Sequence, residues 1–214
     1  MPQERDRWIE ASDVIPMFPT LLWKIQLQAE LRAAIEAKIL VLLAGMRRNE
    51  PALAPGQGWQ SVQTLHEREE LRDLVSCIHK AARGALKSLR IGYDAIEITA
   101  CWANVLAPGA AHRMHSHPNN FLSGVYYLRT QPGADTINFH DPRVQTGIIR
   151  PPVTALTAEN TDQVVVRVQN GTLLLFPSYL QHSVDANMSA EERVSLSFNL
   201  MFSAFTENLS KPLW

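Results

Sequence analysis

The hydrophobic period of this chain changes once, near Ile91, and that change limits the possible folds more than any other feature. Beyond it, apolar and polar residues alternate in short runs: 94–106, 111–117, 121–130, 135–140, 153–157, 163–169, 171–176, 181–185 and 192–205. Alternation with a period of two marks strands that bury one face. Turn signals divide the runs at Pro108-Gly109, Pro132-Gly133, Asp141-Pro142, Pro151-Pro152, Asn170-Gly171 and 187–191. Asn170-Gly171 lies between Val164–Val168 and Thr172–Phe176 and is the strongest hairpin signal in the chain. Many short strands in succession predict a closed or double-sheet β architecture.

Upstream the pattern is different. Leu21–Leu27 reads as a short strand after Pro16 and Pro19. Residues 28–48 read as a helix with Leu31, Ile35, Ile39 and Leu42 along one stripe. Pro51, Pro55, Gly56 and Gly58 predict a loop. A second helix, Glu67–Leu89, carries Leu71, Leu74, Val75, Ile78, Ala82, Leu86 and Leu89, and acids lead its first turn as the helix dipole prefers. A chain of 214 residues is long enough for one well-buried domain. The expectation is a single domain over 1–214, mainly β with N-terminal helices. A helical layer with a leading strand occupies 1–92, a double-stranded β-helix (a cupin-like jelly roll) occupies 93–206, and 207–214 form a tail.

Charge and composition exclude several classes of function. The chain has 20 basic and 21 acidic residues, a formal charge of −1, with no polybasic run. A nucleic-acid platform is not expected on electrostatic grounds. The charged start, MPQERDRW, has no apolar signal core, and the longest apolar run, Ile39–Met46, is far shorter than a membrane span. Cys77 and Cys101 do not form a CxxC pair and read as free thiols. A cytoplasmic protein without a membrane or nucleic-acid partner is expected.

The chemistry concentrates in histidines. His115 and His117 are two apart, so on an extended segment their imidazoles share a face. His182 comes far later, in FPSYLQH, and Arg193-Val194-Ser195 follows it. In a barrel, strands distant in sequence face one another, so the three imidazoles can meet at one ion. Neutral imidazole is a good ligand for iron, zinc, copper or nickel, and a facial set leaves positions open for substrate. An inward Arg193 would need an anion, and a guanidinium fork with Ser195 beside it suits a carboxylate. The plainer alternative is a surface ion pair within Glu191-Glu192-Arg193. His66, His79 and His140 read as ordinary helix or strand residues, Asn119 and Asn120 as turn residues, and Trp102 first as core. Asn104 shares a face with Trp102. Trp23, Trp59 and Trp214 suggest no chemistry.

These motifs resemble the 2-oxoglutarate/Fe(II)-dependent oxygenase superfamily, nearest to its prolyl-hydroxylase-like branch. That branch has a glycine, an aromatic three residues on, the first iron ligand three beyond, then x-Asp and a Tyr-Tyr-Leu-like strand. Gly109, His112, His115, His117 and Tyr126-Tyr127-Leu128 stand in those places. LLLFPSYLQHSV resembles the segment with the distal histidine, and ERVSLSFNLMF the strand whose arginine pairs with the cosubstrate's far carboxylate. The likeness covers about residues 95–205. It implies an enzyme that uses Fe(II) and 2-oxoglutarate to hydroxylate a small-molecule or peptide substrate. It also implies His115 and His182 as metal ligands and Arg193 as the carboxylate clamp, aided by Tyr127, Ser195, His112 and Asn104. His117 departs from the pattern by replacing Asp. It can be a true third ligand, or Asp141 or Asp185 can complete the site. The departure also leaves open a three-histidine dioxygenase that does not use 2-oxoglutarate, a cupin-like binding module without turnover, or a purely structural barrel.

Overall fold

The computed structural model describes residues 10–92, 95–143 and 151–204. The charged N-terminus and the tail with Trp214 lie outside the described residues. In chain order the elements are β1 (Trp23–Gln26), α1 (Ala29–Met46), β2 (Gly58–Gln60), two short 3-10 turns (Leu65–Glu67 and Glu69–Leu71) and α2 (Arg72–Ser88). Then come β3 (Ile96–Leu106), β4 (His112–His115), β5 (Leu122–Arg129), β6 (Thr136–His140), β7 (Gln163–Arg167), β8 (Thr172–Pro177), β9 (His182–Val184) and β10 (Arg193–Phe202).

The strands form two antiparallel sheets, ordered β1-β8-β5-β10-β3-β2 and β4-β9-β6-β7. Together they make the double-stranded β-helix. Alternation in the strands of the larger sheet assigns each face. Val194, Leu196, Phe198 and Leu200 of β10 join Cys101, Ala103 and Val105 of β3 under the helices, against Ile35, Ile39, Ile78, Ala82 and Leu86. The opposite face of that sheet turns Val125, Tyr127, Leu174 and Phe176 toward Ile137, Phe139 and Val184 of the smaller sheet. A side chain at Gly124 would overlap the Phe198 ring and the Leu174 carbonyl, so the centre of the larger sheet closes only with glycine there.

Several local expectations change. Asn170-Gly171 makes a turn but not a hairpin: β7 pairs with β6, while β8 pairs with β1 and β5. Gly171 has φ +79° and Thr172 N–H donates to the Gln169 carbonyl, as turn chemistry predicts. The chain nevertheless crosses from one sheet to the other here. The Asn170 side chain caps Thr130 N–H at 2.7 Å instead of closing a ladder. Residues 153–157 form no strand, and they follow Pro151-Pro152, which has no N–H to offer a ladder. In α1 the buried stripe is Ile35, Ile39 and Leu43, with Leu31 exposed, and the second helix is regular only from Arg72. The predicted loop at 51–58 ends in β2, which lies along the edge of β3. Cys77 and Cys101 are free, and burial pushes the Cys101 thiol up to about 12. No helix among the described residues is long and apolar enough to cross a membrane.

Candidate metal centre

Strand pairing brings the distant histidines together. His115 ends β4 and His182 begins β9, and the two are direct partners in the ladder. His117 lies just past the end of β4, where its N–H donates to the Ser178 carbonyl at 2.9 Å. The ring centres of His115 and His182 are 4.4 Å apart, His115 and His117 5.1 Å, and His117 and His182 5.2 Å. Their candidate ligand nitrogens all lie within 4.8 Å of one another. An ion making bonds of roughly 2 Å needs only small side-chain rotations to draw this set in.

Tautomers follow from local hydrogen bonds. The Nδ1 of His115 contacts the Arg113 carbonyl at 2.7 Å, and that of His182 the Leu180 carbonyl at 3.0 Å. A carbonyl only accepts, so each Nδ1 carries the proton and each Nε2 keeps its lone pair for a metal. Among the described residues no carboxylate joins the cluster. Asp141 engages the Arg143 guanidinium at 2.7 Å, and Asp185 is exposed. Among the described residues the candidate donor set is therefore three imidazoles.

Burial favours the uncharged form of His112, His117 and His182. It pushes His117 and His182 down to about 4, helped by like-charge repulsion from His115, and the bond to the Leu180 carbonyl partly opposes the shift at His182. Burial, with Arg193 and His115 adding to it, pushes His112 down to about 4. The folded values lie below the ordinary 6.5. In the window from about 6.5 down to about 4 the unfolded chain therefore binds protons that the folded chain refuses. The metal-free protein should lose stability as pH falls through that window and show no such loss above it. Thermal melts of chelated protein check this: the midpoint should drop steadily below pH 6.5, and His182→Gln should flatten the slope. A midpoint unchanged from pH 7 to 4.5 would contradict it.

Deeper in the barrel lies a second feature. Arg193 is 2 % exposed, and its Nε–H donates to the Ala134 carbonyl at 3.1 Å. Its Nη2 has no hydrogen-bond partner, nor does the hydroxyl of fully buried Tyr127. The guanidinium carbon is 5.1 Å from the Tyr127 ring centre. Burial pushes the phenol up to about 12, against the pull of Arg193, and draws the guanidinium below its ordinary range. Ser195, also buried, pairs with Tyr127 on one side and Asn104 on the other, so the three form one row across β5, β10 and β3. A buried cation with one carbonyl partner and idle donors costs several kcal/mol. A carboxylate fits that space chemically, with the guanidinium and the phenol as its donors.

Asn104 ends that row on β3. It lines a cleft of about 320 Å³ beside the histidines, with Gln60, Trp102, His112, His115 and Ser197 among the walls. Trp102 is thus a pocket wall and not core, its ring centre 5.8 Å from that of His117. Sequence reasoning missed Gln60, which lay between the predicted loop and the second helix, and Ser197, whose only signal was its step of two from Ser195 on the face that carries Arg193. His140 is a strand residue in contact with the Ser183 hydroxyl at 2.9 Å. Asn119, with φ +62°, is a turn residue as predicted.

A double-stranded β-helix holding three ligand-ready imidazoles near a buried, unsatisfied arginine has the build of a non-haem metal oxygenase. Residues 100–199 match the model of the family described as "Putative 2OG-Fe(II) oxygenase". That stretch, which contains the three histidines and Arg193, is thereby similar to the 2-oxoglutarate- and iron(II)-dependent oxygenases. Nothing among curated protein sequences matches the chain. Solved structures share the fold. A Pseudomonas putida prolyl-4-hydroxylase is 18% identical, with 86% of this chain and 94% of that one covered and a TM-score of 0.57. The epimerase SnoN in complex with Fe3+, alpha ketoglutarate and nogalamycin RO is 16% identical, with 91% and 89% covered and a TM-score of 0.61. HygX from Streptomyces hygroscopicus, with nickel and 2-oxoglutarate bound, is 12% identical, with 87% and 84% covered and a TM-score of 0.57.

Proposed function

We propose that His115, His117 and His182 together hold one iron(II) ion, and that Arg193 and Tyr127 hold the far carboxylate of 2-oxoglutarate. The observation that carries this reading is the pair of idle donors on Arg193 and Tyr127, buried in the same barrel as the imidazole cluster. Iron and 2-oxoglutarate together supply the oxidising chemistry: oxygen is activated as the keto acid loses carbon dioxide to give succinate, and a substrate C–H bond is hydroxylated.

The chain contributes placement and charge. His115 and His182 present Nε2 lone pairs fixed by their backbone contacts. Three neutral ligands leave the charge of a divalent ion uncompensated, and a dianionic cosubstrate neutralises it. Arg193 orients that cosubstrate through a fork that matches a carboxylate. Ser195 offers a hydroxyl in the same row, and His112, held neutral, offers hydrogen bonding without further positive charge. Asn104 joins this wall to the outer cleft. Val125, Leu174 and Phe176 line the interior and keep water from the cosubstrate. A small molecule or a peptide side chain is the substrate, and the free thiols support a reducing, cytoplasmic setting.

The all-imidazole donor set is the one observation favouring a dioxygenase that does not use 2-oxoglutarate. Arg193 argues against it, because such an enzyme has no use for a buried carboxylate clamp. The test is anaerobic loading with Fe(II) followed by titration of 2-oxoglutarate. One iron per chain, a visible absorption band that appears only with both present, and succinate on admitting oxygen are expected. Tight zinc occupancy with no binding of 2-oxoglutarate would leave a binding module instead.

A further inference from the structure

The cleft beside the metal centre contains a chain of neutral polar groups that begins outside the residues of the family match. Gln60 lies in β2, outside residues 100–199. Its Nε2–H donates to Asn104 Oδ1 at 2.8 Å, and Asn104 Nδ2–H donates to the Ser197 hydroxyl at 2.9 Å. Three strands thereby share one hydrogen-bonded relay, and all three residues line the cleft. Asn104 is buried, whereas Gln60 and Ser197 form the exposed and half-buried ends.

The relay leaves defined capacity at its ends. Gln60 keeps its Oε1 as acceptor and its second N–H as donor, and the Ser197 hydroxyl keeps its proton to donate. Polarised the other way, Gln60 would show two N–H donors and Ser197 a free lone pair. In both senses the ends offer donor and acceptor together and no charge. Among the described residues no carboxylate lines the cleft, so an ammonium group finds no partner in its walls, and the cation there, Arg113, is exposed. Trp102 and Met114 add apolar walls.

β2 is held firmly for so short an edge strand. Ser61 N–H donates to the Ala103 carbonyl at 3.1 Å and the Ser61 hydroxyl accepts from Ala103 N–H at 2.9 Å. Arg47 lies over the Trp59 ring at 5.7 Å and grips Glu192 through two bonds of 2.9 and 2.8 Å. Gln60 is thus carried on a fixed support.

We propose that Gln60 and Ser197 form the primary-substrate subsite of this enzyme and select a neutral group that both donates and accepts hydrogen bonds, a carboxamide or peptide amide, set against Trp102. The proposal rests on the oxygenase reading for the identity of the neighbouring centre. Benzamide, benzoate and benzylamine test it, since they share a ring for the apolar walls and carry a neutral, an anionic and a cationic head group. Binding is read by saturation-transfer NMR to the zinc-substituted, 2-oxoglutarate-loaded protein, which is diamagnetic.

Benzamide should bind best to the wild type. Gln60→Leu should weaken it by about fivefold, the usual consequence of losing hydrogen bonding worth about 1 kcal/mol. Gln60→Glu should move the preference to benzylamine, which a merely structural role for Gln60 would not produce. 2-Oxoglutarate binding measured on the same samples reports whether the inner pocket survives each substitution. Better binding of benzoate or benzylamine by the wild type, or benzamide binding indifferent to Gln60→Leu, overturns the proposal. Benzamide selection in a protein that binds no 2-oxoglutarate would instead sink the oxygenase reading and leave the subsite standing.

Discussion

Arg193→Met should abolish measurable 2-oxoglutarate binding while leaving the metal in place and the ligand-free fold at least as stable. The guanidinium is almost fully buried, has one carbonyl partner and keeps Nη2 idle. Without an anion it is a desolvated charge, and replacing such a charge by an apolar side chain of similar volume is commonly neutral or stabilising. With the cosubstrate bound, the same charge forms a desolvated pair. Truncating one partner of such a pair costs about 2–5 kcal/mol, or roughly thirty- to several-thousandfold in affinity. Arg193→Lys keeps the charge but loses the planar fork, so an intermediate loss of about tenfold is expected. Calorimetric titration of 2-oxoglutarate into iron-loaded, anaerobic protein, beside thermal melts of the ligand-free variants, measures both halves. A lower melting temperature with unaltered 2-oxoglutarate affinity would make Arg193 a structural residue and return the site to a three-histidine dioxygenase.

The arginine also shows what alternation in a strand can and cannot convey. A step of two along β10 aligns Arg193, Ser195, Ser197 and Asn199 on one face and Val194, Leu196, Phe198 and Leu200 on the other, and both sets are readable without coordinates. Which of the polar set faces a deep pocket and which an open cleft depends on neighbouring strands. Ser195 is buried between Tyr127 and Asn104, whereas Ser197 reaches the cleft. Trp102 illustrates the same limit: it shares its inward face with Leu106, yet one lines the opening and the other the core. The Asn170-Gly171 turn was legible because φ above zero is a local demand. The partner of the strand leaving that turn is not local, and here it belongs to the other sheet. β2 was hidden for a simpler reason, since a strand of three residues has no period to detect. The histidines were found through spacing, but their convergence depends on the pairing of β4 with β9, which neither strand encodes alone.

His182→Ala and His115→Ala should each lower iron affinity by at least a hundredfold. Losing a direct ligand should cost more than the roughly 10–100-fold measured for groups that only orient ligands. The two variants differ in a useful way. His182 is buried against Phe176 and Phe139, with ring centres at 4.8 and 6.1 Å, so its truncation also opens a cavity and lowers the melting temperature. His115 is exposed, so its truncation should leave the melting temperature nearly unchanged. Equal metal loss in both, read by metal analysis after gel filtration, therefore assigns the effect to coordination and not to damage in the core. His117→Asp supplies the third comparison. A carboxylate in place of a neutral ring lowers the net charge of the centre by one, which should tighten the metal and weaken the dianionic 2-oxoglutarate. If His117→Asp and His117→Ala behaved alike toward both, position 117 would lie outside the coordination sphere, and the centre would keep only two protein ligands.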